Sequence, residues 1–408
     1  VERREQRADS RAMARLLLPT AIAVIGASDD EGSVGEALWR NVAGTASCNV
    51  YPVNPNRSTV GGRPAMASVT DIDEPVALAV IAVSAAALTA VIEDCVAKQV
   101  RGAVVITAAD DPGDDVDIDI AGLVQYSRRH GLRLIGPSSM GIVSSLVGNE
   151  LAATAAEGTI TPGRVAISMQ SGSLGASVLH TATDLGLGFS WFVSLGDKSD
   201  VSANDLLQFW QDDDATSVIA LYTESLGNPG KFARIARRVS ATKPIVAVRT
   251  GAALVGVGNE ALYRQTGVIE VPTVTALLDT VRVFANEPPM RGDRVALIAN
   301  ARSPEVLGTA TLAAAGLTVV RPDKLLSWRN RPVDYGPVSE EALADDDIDA
   351  VMVIHAPPMT AAIGGAAPTI SEVAEGRTKP VVAVTLGHGD GAIASGDRSV
   401  ASMSLIHI

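Results

Sequence analysis

This sequence predicts an α/β protein of parallel, doubly wound sheets, on three observations. Apolar runs rich in Val, Ile, Leu and Ala alternate with helix-length stretches along nearly the whole chain; 47% of residues are hydrophobic but only 3% aromatic; and glycine-bearing turns follow several of the runs. Short apolar runs without polar alternation suit strands buried on both faces, as in parallel sheets. Small side chains let helices lie close on such sheets. At 408 residues the chain exceeds one ordinary core, and about 150 residues per domain predicts two or three units.

Residues 1–20, charged at VERREQRADSR and apolar at LLL, are expected to be a linker or a helix docking on the first unit. The stretch IAVIGASDDEGSVGEALWRN, 22–41, then reads as a buried strand, a Gly/Ser/Asp turn and a helix. Gly26 allows a sharp turn and Gly35 leaves room at the helix opening. Free N–H groups and the positive end of the dipole make such a helix start attractive to an anion. The glycine spacing is not G-x-G-x-x-G, and VYPVNPNR (50–57) stands where an acidic ribose ligand would close the next strand, which argues against NAD. Gly26, Ala27 and Ser28 with Ser33 and Gly35 are therefore the candidate phosphate turn, and Asn54, Pro55 and Arg57 a second wall. Strands AIAVIGA, NVYPVNP, ALAVIAV, GAVVITA and LRLIGP occupy 21 to about 147. Their C-terminal ends, including Val83, Ser84, Ala85, Gly136, Pro137 and Ser138, are expected to line one crevice. The run ADDPGDDVDID after the fourth strand reads as a solvated loop.

A second unit, expected over 151–288, carries RVAISM, FSWFVSL, SVIALYT and PIVAVRT. After RVAISM, a helix whose first turn holds Ser171, Gly172 and Ser173 gives a second anion-ready N-terminus. His180 shares a stripe with Ser173, Ser177 and Asp184 at helical spacing, so it reads as facing solvent. A third unit, 289–408, carries RVALIAN, LTVV, AVMVIHA and PVVAVTL. His355 and His388 end two of these strands and read as packing or surface residues, with a ligand role as the alternative. SMSLIHI stops before a closing helix, so truncation of this unit is expected.

A formal charge of −13 and a pI near 4.9 argue against nucleic acid or an anionic membrane as partner. Cys48 and Cys95 lie far apart, which signals neither zinc nor disulfides, and a cytoplasmic setting is expected. No metal is expected. The longest uncharged run, Val76–Ile92, falls short of the roughly 20 residues of a membrane span and reads as a strand feeding an Ala-rich helix.

The pairing of GASDDEGSVG with VYPVNPNR resembles the CoA-binding domain of the NDP-forming acyl-CoA synthetases, relatives of the succinyl-CoA synthetase α subunit. GPSSMG (136–141), SMQSGSLG (168–175), VSLGDKSDVSANDLLQFW (193–210) and YTESLGNPGKFARIARRVSATKPIVAVRTG (222–251) extend the likeness over nearly the whole chain. The resemblance implies a CoA-binding Rossmann-like domain followed by two flavodoxin-like parallel-sheet domains. It also implies CoA or acetyl-CoA as ligand, with its phosphates at residues 26–28 and 33–35 and its adenosine end near Asn54, Pro55 and Arg57, an ATP-grasp partner in cis or trans, and assembly into homo- or hetero-oligomers. A segment like ERRE...ARLLLP often joins a GNAT-type acetyltransferase domain to the CoA-binding domain in such proteins, so the chain is expected to be a fragment. The first turn of the third domain is usually glycine-rich there, whereas NARSPEVLG (300–308) stands here, with Arg302 able to compensate by charge.

Enzymes of this family relay a phosphoryl group through a histidine, for which neutral imidazole is suited. The resemblance places that histidine between AVRTG and YRQTGVI. Here the interval is AALVGVGNE, 252–260, without histidine. Glu224 stands where the family has the glutamate that holds the imidazole, the alternative being a carboxylate bonded to backbone. Ser138 and Ser139 stand where Asn and Cys are common. Three readings follow: a catalytically degenerate CoA-binding module, comparable to the synthetase-like regions fused to protein lysine acetyltransferases; the α-type part of an ADP-forming acyl-CoA ligase; and a structural scaffold.

Overall fold

The computed structural model describes residues 2–108, 118–157, 161–250, 257–321, 326–327, 332–356, 366–375 and 377–386, with three two-residue strands between 394 and 403. They form two compact units, Val1–Thr183 with Gly188–Leu277, and Asp184–Leu187 with Leu278–Ile408.

The first unit opens with helix α1 (Glu2–Leu17). Met13, Leu16 and Leu17 on its last turns are fully buried, so the segment expected as a linker or docking helix belongs to the core. Strand β1 (Ala21–Ile25) is followed by α2 (Val34–Thr45), β2 (Asn49–Val53), a small hairpin of β3 (Thr59–Val60) and β4 (Arg63–Pro64), then β5 (Leu78–Ile81), α3 (Ala85–Ala97), β6 (Gly102–Val105), α4 (Ile120–Arg129) and β7 (Arg133–Ile135). The five expected strands form one parallel sheet in the order β2-β1-β5-β6-β7. Successive side chains of a strand point to opposite faces. Ile22 and Val24 of β1 accordingly join the core that holds α1 and α2, while Ala23 and Ile25 join the one that holds α3 and α4. Both faces are covered, which explains the unbroken apolar run. Cys95 sits in the second of these cores, where burial pushes its thiol pKa up to about 12.

The same unit contains a second sheet built from β8 (Gly141–Leu146), β9 (Asn149–Thr154), β10 (Pro162–Met169), α5 (Gly172–Asp184), β11 (Phe189–Ser194), α6 (Ala203–Gln211), β12 (Val218–Thr223), α7 (Pro229–Ser240), β13 (Ile245–Arg249), α8 (Val257–Thr266) and β14 (Ile269–Glu270). Its order is β14-β13-β12-β10-β11-β8-β9. The four expected strands make the parallel centre, and the β8–β9 hairpin extends it antiparallel through β11. The boundary expected after residue 150 falls inside β9. That strand is the sheet edge, and an unpaired edge invites association. Side chains of α2 and its exit cap it: Asn41 donates to the Thr154 and Ala156 carbonyls at 2.7 and 3.0 Å, while Thr45 and Ser47 accept from the Ala152 and Glu150 N–H groups.

The second unit takes up α9 (Val274–Asn286) from Leu278 onward, then β15 (Arg294–Ala299), α10 (Arg302–Ala314), β16 (Thr318–Val320), α11 (Tyr335–Ala344), β17 (Ala350–His355), α12 (Ala366–Ala374) and β18 (Val381–Thr385). The four expected strands pair in parallel in the order β16-β15-β17-β18, and a short fifth strand, Ser402–Met403, pairs in parallel beyond β18. Ile298, Val353 and Ala383 face α11 and α12, and Leu297, Ile354 and Val384 form a smaller cluster on the other side. Among the described residues, no helix is long and apolar enough to cross a membrane.

Candidate functional site

In the first sheet the strand order reverses between β1 and β5. Loops after the two strands leave in opposite directions there and open a crevice. A crevice of about 620 Å³ lies at that point. Gly26, directly after β1, has φ +91°, and a Cβ on it would stand 2.1 Å from the Ala82 carbonyl oxygen after β5. A Cβ on Gly35 would stand 2.1 Å from the Gly26 carbonyl oxygen. Two backbones and a helix start are thus brought together where a side chain would keep them apart.

Ser33 caps α2, its hydroxyl accepting from the Glu36 N–H at 3.1 Å. Val34 and Gly35, whose N–H groups precede the first intrahelical bonds, line the crevice. Asn54 braces the opposite wall, donating to the Ala27 carbonyl at 2.8 Å and accepting from the Asn56 N–H at 2.9 Å. Arg57 pairs with Asp30 at 2.5 Å, and the Ser28 hydroxyl donates to the same carboxylate at 2.9 Å. Those contacts hold the Asp30 carboxyl below its ordinary pKa, Arg57 first and Ser28 second.

Of the candidate residues, Gly26, Ser28, Ser33, Gly35, Asn54, Pro55, Val83 and Ser84 line the crevice. Ala27 and Ala85 are buried beside it, and Arg57 reaches the glycine turn through Asp30. Gly136, Pro137 and Ser138 are not among its lining residues. Their turn is fastened instead to the loop after β11: the Asp197 N–H donates to the Pro137 carbonyl at 3.0 Å, and the Ser138 hydroxyl to the Asp197 carboxylate at 3.0 Å. Thr107 links the two places, exchanging hydrogen bonds with the backbone of Val83 and accepting from the Ser138 N–H through its carbonyl.

A second cluster forms at the C-terminal ends of β10, β11 and β12. Gln170 accepts through its side-chain oxygen from the N–H groups of Glu224 and Ser225. Lys198, a non-glycine residue at φ +52°, donates from Nζ to the Ser225 carbonyl and hydroxyl at 2.6 Å each. Burial lowers the Lys198 pKa, and the nearby Glu224 carboxylate opposes that shift. Ser171 and Gly172 open α5 beside this loop, the Ser171 hydroxyl accepting from the Leu174 N–H at 3.4 Å. Ser173 lies in the same turn, its side chain outside the described residues. Glu224 itself is exposed. Gln170 and Lys198 are not among the residues singled out from the sequence, although Gln170 directly follows β10 and Lys198 lies in the loop after β11, positions at strand C-terminal ends that are the signal for them.

Residues 251–256 and His388 lie outside the described residues, and α8 begins at Val257. His180 is exposed on α5, as its stripe predicts. His355 is buried in the second unit, with Nδ1 2.8 Å from the Tyr335 hydroxyl. His130 closes α4 against the Tyr126 carbonyl at 2.9 Å. Arg302 is the first residue of α10. Most of the expected acidic loop, 109–117, is likewise outside the described residues, while Asp119 caps α4 through the Gly122 N–H.

The fold and crevice define an α/β protein with a CoA-binding domain and a succinyl-CoA-ligase-like flavodoxin domain. Residues 20–145 match the CoA binding domain and residues 162–284 the succinyl-CoA ligase like flavodoxin domain. The chain is 30% identical to the α subunit of acetate–CoA ligase [ADP-forming] II of Pyrococcus furiosus, over 90% of this chain and 87% of that one. It is 33% identical to the acetate–CoA ligase [ADP-forming] of Methanocaldococcus jannaschii, over 69% of this chain and 42% of the relative. A solved acetyl-coenzyme A synthetase 1 of Ca. Korarchaeum cryptofilum, in complex with phosphate and ADP, superposes with a TM-score of 0.85 at 28% identity, over 93% of this chain and 89% of that one. This chain belongs to the NDP-forming acyl-CoA synthetase family, on the side of its α-type subunits. It spans 42% of the M. jannaschii relative and 59% of the 4-hydroxybutyrate–CoA ligase [ADP-forming] of Nitrosopumilus maritimus.

Proposed function

We propose that this chain is a CoA- and acyl-CoA-binding module that keeps the α-type scaffold of an ADP-forming ligase but not its phosphoryl relay. The observation that carries the reading is a pairing: a crevice lined by Gly26, Val34 and Gly35 opens at a helix start, where a ligand phosphate fits, while residues 252–260 hold no histidine. A relay through this family's imidazole needs a neutral nitrogen that first takes and then releases the phosphoryl group. Asn259 and Glu260, the polar side chains of that interval, do not offer one. The module would report acyl-CoA to a joined or separate GNAT-type acetyltransferase domain.

The retained cluster of Gln170, Lys198, Glu224 and Ser225 favours a second reading, the α-type part of an acyl-CoA ligase that works with an ATP-grasp partner. Calorimetric titration with CoA and acetyl-CoA tests the binding that both share, and absence of heat would leave the scaffold reading. Incubation with labelled ATP, Mg²⁺ and a competent ATP-grasp partner separates the two. The module reading expects no acid-labile, base-stable phosphate on the chain, and stoichiometric label on a histidine would overturn it.

A further inference from the structure

We propose that Asp94 makes the crevice selective for a base with an exocyclic amino group, the adenine of a CoA-type ligand; the proposal rests on the CoA-binding reading above. Ala87, Ala90, Val91 and Asp94 of α3 all line the crevice. Their spacing of three, four and seven puts them on one face of the helix. The crevice therefore runs along α3 from Ser84, its N-cap beside the glycine turn, to a point about 15 Å further on, at 1.5 Å per residue. Along that path the walls are small and apolar, with Val69 facing the helix, and suit a flat ring. Among the described residues, Asp94 is the one ionisable side chain that lines the crevice.

The Asp94 carboxylate is oriented in advance. The Ser68 hydroxyl donates to its Oδ2 at 2.8 Å. Ser68 is itself held as the cap of the short turn Val69–Asp71, accepting from the Thr70 N–H at 3.1 Å, while its own N–H donates to Asp71 at 2.9 Å. A carboxylate only accepts, so it favours an amino group and repels a carbonyl oxygen in the same place. In the proposed arrangement the thiol arm of the ligand is directed toward Thr107, which ties Val83, at the glycine-turn end of the crevice, to Ser138 and so toward the Lys198 cluster. A ligand with its phosphates at Gly26 and Gly35 and its thiol arm leaving past Val83 carries its base toward Asp94.

The test compares CoA with deamino-CoA, in which a carbonyl replaces the exocyclic amine at nearly constant size, by calorimetry on the full chain. The unaltered protein should bind CoA about tenfold more tightly, the scale of one charge-assisted hydrogen bond. Asp94→Ala should bring the two ligands to within about twofold of each other by the same arithmetic. Asp94→Asn, which keeps the shape and an acceptor for Ser68, should narrow the preference and provides the measurement if the alanine variant does not fold. CoA binding without a preference, or a preference unchanged in the variants, overturns the role of Asp94 and leaves the module reading standing. No binding of either ligand to the unaltered protein overturns both.

Discussion

Arg57 and Asp30 meet at 2.5 Å beside the glycine turn after β1, and the Ser28 hydroxyl completes the contact. Arg57 is thus already paired with a carboxylate of the turn itself. An anionic ligand that reaches Arg57 must displace Asp30. Asp30→Asn is therefore expected to tighten CoA several-fold and to leave uncharged pantetheine unaffected. Titration of both ligands at low and moderate salt checks this, since exposed charges are screened over about 10 Å at 0.1 M. Equal CoA affinity in the variant would mean that Arg57 does not meet the phosphate.

Gly35 is expected to tolerate no side chain. A Cβ there meets backbone, the Gly26 carbonyl oxygen, which cannot rotate away. Gly35→Val should cost about 1–3 kcal/mol through overpacking and weaken CoA binding in parallel. Gly44, on the same helix with nothing within 4 Å of a built Cβ, is the control. Gly44→Ala should be neutral or stabilising by up to about 1 kcal/mol in denaturant melts.

Asp200 is expected to be the most sensitive charge in the first unit. Its side chain is fully buried and accepts from Arg128 at 2.5 Å, Arg133 at 2.9 Å and the Leu134 N–H at 2.8 Å. These contacts bind the end of the first sheet to the segment that leads into α6. Asp200→Ala leaves the largely buried Arg133 uncompensated, a loss of about 3–5 kcal/mol. Chemical denaturation should show it, and a loss under 1 kcal/mol would mean that solvent or Asp205 compensates.

Glu287 should give the second unit a pH dependence of the less common sign. Burial raises its carboxyl above the ordinary 4.5, and the Val381 N–H, donating at 2.9 Å, offsets this in part. The folded state then holds a proton that the unfolded state has released. Its contribution is fully present below pH 4.5 and is lost as pH rises through the raised folded value. Glu287→Gln keeps an acceptor for Val381 without the charge, so it should melt higher than the unaltered protein at pH 7. The gap should close as pH falls toward 4.5. A gap that widens on acidification would contradict the assignment.

The central parallel strands of the three main sheets and the glycine turn were legible from local sequence, whereas the two-residue parallel strands Ile269–Glu270 and Ser402–Met403 were not. A strand covered on both faces must be apolar throughout, and a backbone that approaches another within carbonyl contact must be glycine. Both demands fall on residues adjacent in the chain. The motifs also carried the family, because most of them stand at strand ends, where the glycine and small polar residues of a turn are fixed by local sequence. Neither the capping of edge strand β9 by Asn41 nor its recruitment to the second sheet had such a signature. The same holds for the turn of Ser138, held by Asp197 across 59 residues rather than by the crevice, and for Asp94, set by Ser68 across 26. Each depends on which surfaces the packed sheets bring face to face. A hydrogen bond between distant residues demands only a donor and an acceptor, types that are common along any chain. Their meeting is decided by the close packing of the core, which the order of apolar runs does not specify.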